Sequence, residues 1–324
     1  MSHLGRRVVR RALRIRTRRV RVDPLVTQPS KAETLVTQPS KAETLVTQLS
    51  KAETLAVMPG VVDITQRTPP NPPAHIQEQF VGASYEAAYV EAFSFVNFAA
   101  KWSAEQGRGA LPTLDRILDF GSGWGRITRV LLTQNVHPRH VFVADVDQDM
   151  TALVNVSLPG ITALTVDPMP PTLLKDATFD LVTAFSVFSH LSPGAHEAWA
   201  FEFGRLVVDG GLVVLTALDR VFFDQIQGSK DSVDRGEATP AAASLAGTFP
   251  DLAAAIATFD QGGIAYAGTG GGGVRTGDFY GWAAASRAYI ERTWGTAGFD
   301  IVEWVPYGVM FQQAAVAMRR RARE

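Results

Sequence analysis

The sequence predicts an α/β fold, an open and mostly parallel sheet with helices on both faces. Three observations point there. A strand runs through a glycine turn into a helix between Ile117 and Gln134, a second strand ends in an acid about 20 residues past the glycines, and strands alternate with helical segments onward to Leu215.

The organising stretch, Ile117 to Arg126, reads Ile-Leu-Asp-Phe-Gly-Ser-Gly-Trp-Gly-Arg. Apolar residues enter from the strand, Asp119 sits at its end, and Gly121, Gly123 and Gly125 alternate with Ser122 and Trp124 before the helix. Glycines suit a turn whose backbone takes dihedrals closed to other residues and lets a ligand approach the main chain. A dinucleotide fingerprint, G-x-G-x-x-G, differs from this one: its third glycine would stand where Arg126 stands. A pyrophosphate is met by bare N–H groups at a helix start, and a nearby carboxylate repels it. Asp119 therefore suits a ligand that carries an ammonium group and no phosphate.

Before this stretch, Met1 to Val22 carries nine arginines and no acid. Either a transit peptide, a surface-binding arm or a solvated extension has that composition. Val26–Leu35 and Val36–Leu45 both read VTQPSKAETL, and Val46–Leu55 differs from them only in Leu49. Identity at nearly every position points to recent duplication rather than a packed solenoid, and the polar, proline-bearing repeat predicts a disordered linker. Residues 1–74 are thus expected to be an appendage, and 75–320 the folded domain. Within it, Ser84 to Trp102 predicts a helix with Ser84 as a cap and a broad aromatic face.

Past the glycine turn, His140 to Val146 predicts the second strand, with Asp145 where a nucleotide fold places its ribose-binding carboxylate. Ile161 to Val166 predicts the third strand, closed by Asp167. Phe179 to Phe185, apolar as a buried parallel strand is, predicts the fourth and runs into a loop at Ser186 to His190. Ligands of open α/β sheets sit at the carboxyl ends of strands, so this loop faces the reaction. Pro193 to Val208 predicts a helix, and Val207 to Leu212 a helix end, a glycine turn and a fifth strand through Leu215. Residues 219–280 form an insertion that is either a lid, with Tyr280 and Trp282 beside it, or a surface loop. A helix from Trp282 to Trp294 and strands at Phe299 to Val305 and Gln312 to Met318 complete the chain.

Composition bounds the function. The chain has no cysteine, which removes disulfides, thiolate nucleophiles and Cys-bound metals. His137, His140 and His196 lack metal-ligand company and read as surface residues. No apolar run is long enough to span a membrane, and a cytoplasmic protein is expected. The net charge of −1 hides a segregation: residues 1–55 hold 12 Lys and Arg against 4 acids, whereas the body between 55 and 319 holds 15 against 27. An acidic body argues against a nucleic-acid substrate.

The motif from Asp119 to Arg126 resembles motif I of the class I S-adenosylmethionine-dependent methyltransferases. Phe179-Asp-Leu-Val followed by Ser186-Val-Phe-Ser-His-Leu resembles a bacterial small-molecule branch of that superfamily. Gly210-Gly211 matches its usual Pro-Gly-Gly, with Asp209 in place of the proline. The resemblance implies a Rossmann-like sheet of seven strands, the last antiparallel, and S-adenosylmethionine as cofactor. It implies a cofactor site of Asp119, Gly121, Ser122, Gly123, Trp124, Asp145 at the ribose, Asp167 at the adenine amino group, Phe185 and Ser186. His190 is the candidate general base for a hydroxylated small-molecule acceptor, since imidazole titrates near neutrality. Methyl transfer from a sulfonium calls for positioning and exclusion of water, and for no metal. An NAD-dependent oxidoreductase and a non-catalytic scaffold of the same fold are the rival readings.

Overall fold

A computed structural model describes residues 68–323. The chain divides into Met1–Lys51 and Ala52–Glu324. The arginine-rich segment and the decapeptide repeats lie outside the described residues, as do residues 56–67.

Nine strands are described: β1 (Ile117–Phe120), β2 (Val141–Asp145), β3 (Thr162–Thr165), β4 (Phe179–Ala184), β5 (Val207–Ala217), β6 (Ile264–Ala267), β7 (Trp282–Ala285), β8 (Phe299–Val305) and β9 (Ala314–Arg320). β6 and β7 pair as a small antiparallel sheet, and the other seven lie in the order β3-β2-β1-β4-β5-β9-β8. β1 to β5 run parallel, and β9 is inserted antiparallel between β5 and β8. This is the seven-stranded sheet with an antiparallel last strand that the sequence predicts. Chain order reverses between β1 and β4, which opens a crevice at their carboxyl ends.

Each central strand is apolar on both faces because helices cover both. Side chains alternate across a strand, so Ile117, Leu181, Leu212 and Val214 join one core with α2 (Glu86–Glu105), α3 (Arg126–Thr133) and α4 (Gln148–Ser157). Leu118, Val182, Val213 and Leu215 join the other, with Trp199 and Phe203 of α5 (Pro193–Leu206) and Ile290 and Trp294 of α9 (Arg287–Thr296). The insertion after β5 builds α6 (Val221–Asp234), α7 (Pro240–Ala246) and α8 (Leu252–Asp260), with its own core around Phe222, Phe223, Ile226 and Phe249.

Several elements depart from the sequence reading. A short helix, α1 (Ala74–Val81), precedes α2, opened by Pro73 and closed by left-handed Gly82. α2 starts at Glu86 with Tyr85 in the cap position, and the Ser84 hydroxyl donates to Glu78 instead of capping. α5 passes directly into β5 at Val207. Asp209-Gly210 lies inside the strand, where the pairing with β4 shifts register, and not in a turn. Trp282–Ala285 is strand: β6 pairs with its backbone, and Ser286 caps α9 by accepting from the Tyr289 N–H at 3.0 Å. His196 is a core residue, 0% exposed, whose Nε2 accepts from Trp294 Nε1–H at 3.0 Å. Burial pushes its pKa down to about 3, so it stays neutral.

Residues 70–72 are tied to the body. Arg129 donates to the Pro70 carbonyl at 3.1 Å, the Tyr89 hydroxyl to Asn71 at 2.5 Å, and Gln77 to the Pro72 carbonyl at 2.8 Å. Compared with a chain beginning at Thr68, one beginning at Ala74 should be less stable by about 1–3 kcal/mol, because buried donors lose their acceptors. Urea unfolding of the two truncations measures this, and equal stabilities would remove 68–73 from the folded domain.

Candidate active site

The glycine turn leaves β1 in the left-handed region: φ is 66° at Gly121, 50° at Gly123 and 80° at Gly125. At Gly121 a side chain is also sterically barred, since a Cβ would fall on Cγ2 of Val187 from the β4 loop. Two backbone bonds hold the turn to β2: the Gly121 and Ser122 N–H groups donate to the Ala144 carbonyl at 2.8 and 3.3 Å.

Asp145, at the end of β2, completes the attachment. Its Oδ2 accepts from the Gly123 N–H at 2.8 Å and its Oδ1 from the Asp147 N–H at 2.9 Å. Burial raises its pKa, against those backbone donors and Arg275. A carboxylate oxygen has more than one lone pair, so both oxygens keep capacity to accept from a ligand.

Asp119 stands beneath the turn. It is 1% exposed and does not line the cavity. Oδ2 accepts from the Thr128 N–H at 3.0 Å and its hydroxyl at 2.6 Å, and Oδ1 from the Thr183 hydroxyl at 3.2 Å. Asp167 is exposed after β3, while Val166 and Pro168 on either side of it line the cavity.

The cavity lies over the carboxyl ends of β1 and β4, with about 960 Å³ of open space, mouth included. Gly121, Ser122, Gly123, Trp124, Asp145, Phe185, Ser186 and His190 all line it. Ser186 takes a left-handed φ of 57°, unusual for a residue with a side chain. Its N–H donates to the Thr216 hydroxyl at 2.7 Å, and its hydroxyl accepts from Gln313 at 2.9 Å.

His190 is fixed by the insertion. Its Nδ1 lies 2.7 Å from the Gly281 carbonyl oxygen, its own carbonyl accepts from the Gly281 N–H at 2.8 Å, and its ring stacks on Tyr280 at 4.9 Å. Only glycine fits at 281, because a Cβ would meet the Ala267 carbonyl. A carbonyl only accepts, so Nδ1 carries the hydrogen and the neutral ring keeps its lone pair on Nε2. Burial first, and then Arg275, lower the histidine pKa, while the Gly281 bond opposes them.

Other wall residues escaped the sequence reading. Phe80 and Val81 come from α1, whose signal was present: Pro72-Pro73 before a short polar-apolar stretch and Gly82 after it. The aromatic face of α2 is core instead, with Tyr89 edge-on to Trp124 at 5.8 Å. Arg275 and Phe279 come from the insertion. Arg275 reaches Asp147 at 3.2 Å and lies 5.2 Å from the centre of the Phe80 ring, so it joins the insertion, the β2 loop and α1.

A methyltransferase domain family matches residues 117–211, the span from β1 into β5. That span holds the turn, Asp145 and the loop of His190, and its strands take the positions expected of the fold. That match shows a methyltransferase domain over residues 117–211. A comparison with curated proteins finds no match. Among solved structures, a protein from Pyrococcus horikoshii is 13% identical, with 83% of this chain and 98% of that one covered and a TM-score of 0.49. An S-adenosylmethionine-dependent methyltransferase from Clostridium acetobutylicum is 14% identical, with 77% and 98% covered and a TM-score of 0.49. An amino pentose methyltransferase of calicheamicin biosynthesis from Micromonospora echinaspora is 18% identical, with 73% and 96% covered and a TM-score of 0.45.

The cavity fits S-adenosylmethionine on its own chemistry: no side chain at Gly121, carboxylate acceptors at Asp145, and an apolar wall of Phe120, Val146, Val166 and Phe185. Among the described residues no group of His and acids is placed to hold a metal, and no helix is long and apolar enough to cross a membrane.

Asp119 makes the fold sensitive to pH. Burial pushes its pKa up to about 6 from 3.8. The fold thus favours the protonated acid, and the resulting stability is complete below pH 3.8 and lost as pH rises through about 6. Relative to Asp119→Asn, the wild type should gain about 2 kcal/mol between pH 7 and pH 4. Urea unfolding of both proteins at the two pH values tests this, and a constant difference would refute it.

Proposed function

We propose that the enzyme methylates a hydroxyl group of a small-molecule acceptor, with His190 as general base. The observation that carries this reading is the bond from His190 Nδ1 to the Gly281 carbonyl, which leaves the Nε2 lone pair free in a residue of the cavity wall. The cofactor supplies an electrophilic methyl group on a sulfonium.

The residues of the chain supply placement and proton transfer. Gly121 to Trp124 and Asp145 hold the cofactor, with Asp145 accepting from the ribose hydroxyls. Val146, Val166 and Pro168 give the adenine its apolar surface, and the exposed Asp167 is left to solvent. Asp119 acts through the turn: its oxygens already hold Thr128 and Thr183, so it fixes the path of the main chain and does not meet the cofactor ammonium. Phe185 and Ser186 end β4 at the reacting centre.

A second hollow adjoins the first and shares Phe80, His190, Arg275 and Tyr280 with it, adding Thr269 to Gly271 and Trp282. His190 stands in both walls, where a base would take a proton from an acceptor hydroxyl while the methyl group arrives from the cofactor side. The enclosure by Phe80, Tyr280 and Trp282 suits a small acceptor, and the acidic body of the chain is unsuited to a polyanion.

Two measurements test the reading. Asp145→Ala should bind S-adenosylhomocysteine more weakly by about 1–3 kcal/mol in calorimetry, the scale for leaving hydrogen-bonding groups unpaired; unchanged affinity removes Asp145 from the site. Labelled cofactor incubated with fractionated extract yields an acceptor for turnover assays. With it, His190→Ala should lower turnover by about 10² to 10⁴ with cofactor affinity intact. The wild-type rate should fall on acidification with an apparent pKa below the ordinary histidine value, since burial favours the neutral ring. Near-normal turnover in the variant would leave catalysis to positioning alone.

A further inference from the structure

Two buried arginines open α3, and the protein treats them differently. Arg129 has its guanidinium among oxygens: the carbonyls of Trp124, Gly125 and Pro70, and the Ser157 hydroxyl at 2.9 Å. Arg126, three residues earlier, is 8% exposed and forms one hydrogen bond, from Nη1 to the Ala88 carbonyl at 2.8 Å. Its guanidinium carbon lies 4.7 Å from the centre of the Phe185 ring. Among the described residues no carboxylate lies within ion-pair distance of it, and Glu91 and Asp119 act on it only through space.

A guanidinium carries five N–H donors, and a buried cation without a counter-ion is costly. The side that remains to be matched is the cavity, whose wall Arg126 helps to form. It borders the glycine turn and Phe185, and it is absent from the second hollow, where His190, Arg275 and Tyr280 would meet the acceptor. The ligand of the turn, S-adenosylmethionine, ends in an amino acid, and a planar guanidinium matches a carboxylate with two parallel bonds.

We propose that Arg126 binds the carboxylate of the methionyl end of the cofactor. Its arrival neutralises a cation that the protein leaves unpaired, so cofactor binding completes the electrostatics of this wall. The inference rests on the S-adenosylmethionine reading of the site.

Calorimetry on the full chain with two ligands separates the possibilities. S-adenosylhomocysteine carries the amino-acid end, and 5′-deoxy-5′-methylthioadenosine lacks it. Arg126→Gln, which keeps a donor for the Ala88 carbonyl, should weaken the first by roughly 10- to 100-fold and the second by less than about threefold, because only the first loses a charge-assisted bond. Arg126→Lys should recover part of the loss, and melting temperatures of both variants establish that they fold. Equal weakening of both ligands would assign Arg126 to the scaffold of the turn and overturn the proposal. So would unchanged binding of both. A wild type that binds neither ligand would overturn the cofactor reading itself, and this inference with it.

Discussion

A buried carboxylate holds the centre of this molecule together. Asp119 ends β1, and its three hydrogen bonds reach the first turn of α3 through Thr128 and strand β4 through Thr183. A helix start leaves its first N–H groups without helical partners, and Asp119 accepts one of them from below while the glycine turn passes overhead. The crevice between β1 and β4 is therefore clamped at its base. Asp145 then fastens the same turn to β2 through the Gly123 N–H. Two acids from adjacent strands fix the turn from two sides.

The insertion closes the site from above, and it does so through backbone pairing. Gly281 and Ala283 donate to the carbonyls of His190 and Ser189, and Ser192 donates to Phe279, so a short ribbon of the insertion runs along the β4 loop. The histidine is oriented by this ribbon, and the ribbon requires glycine at 281. Arg275 makes the remaining links, to Asp147 and Phe80. Position and tautomer of His190 therefore depend on a segment about 90 residues later in sequence.

Local signals explain how much of this was legible. The five parallel strands, the glycine turn and the acid ending β2 announce themselves because buried parallel strands read as continuous apolar runs and turns need glycine at fixed places. The errors came where tertiary partners override local pattern. Trp282 to Ala285 has helical composition, yet β6 recruits it as a strand. His196 follows a polar stretch, yet Trp294 from a distant helix gives its Nε2 a donor within the core. Arg275 could not be read as a wall residue, since nothing in a glycine-rich loop states which surface it crosses. The partners of Asp119 were not legible, because Thr128 and Thr183 come together only when α3 and β4 pack around it.

The contrast between Arg126 and Arg129 bears on how the cavity stays prepared for a charged ligand. Both sit on one short helix, and both have lowered pKa values from burial. Arg129 is given oxygens from four residues and locks the glycine turn to residues before α1. Arg126 is held by one carbonyl and one aromatic face, enough to fix its direction and too little to satisfy it. A site whose own polar groups are all mutually satisfied offers a ligand little that water does not; one that holds an oriented, under-satisfied cation offers a carboxylate more than water does. The same logic applies to His190, bound at Nδ1 and free at Nε2. In both places the protein uses one atom of a side chain to aim another, and the unused atom belongs to the wall of the cavity.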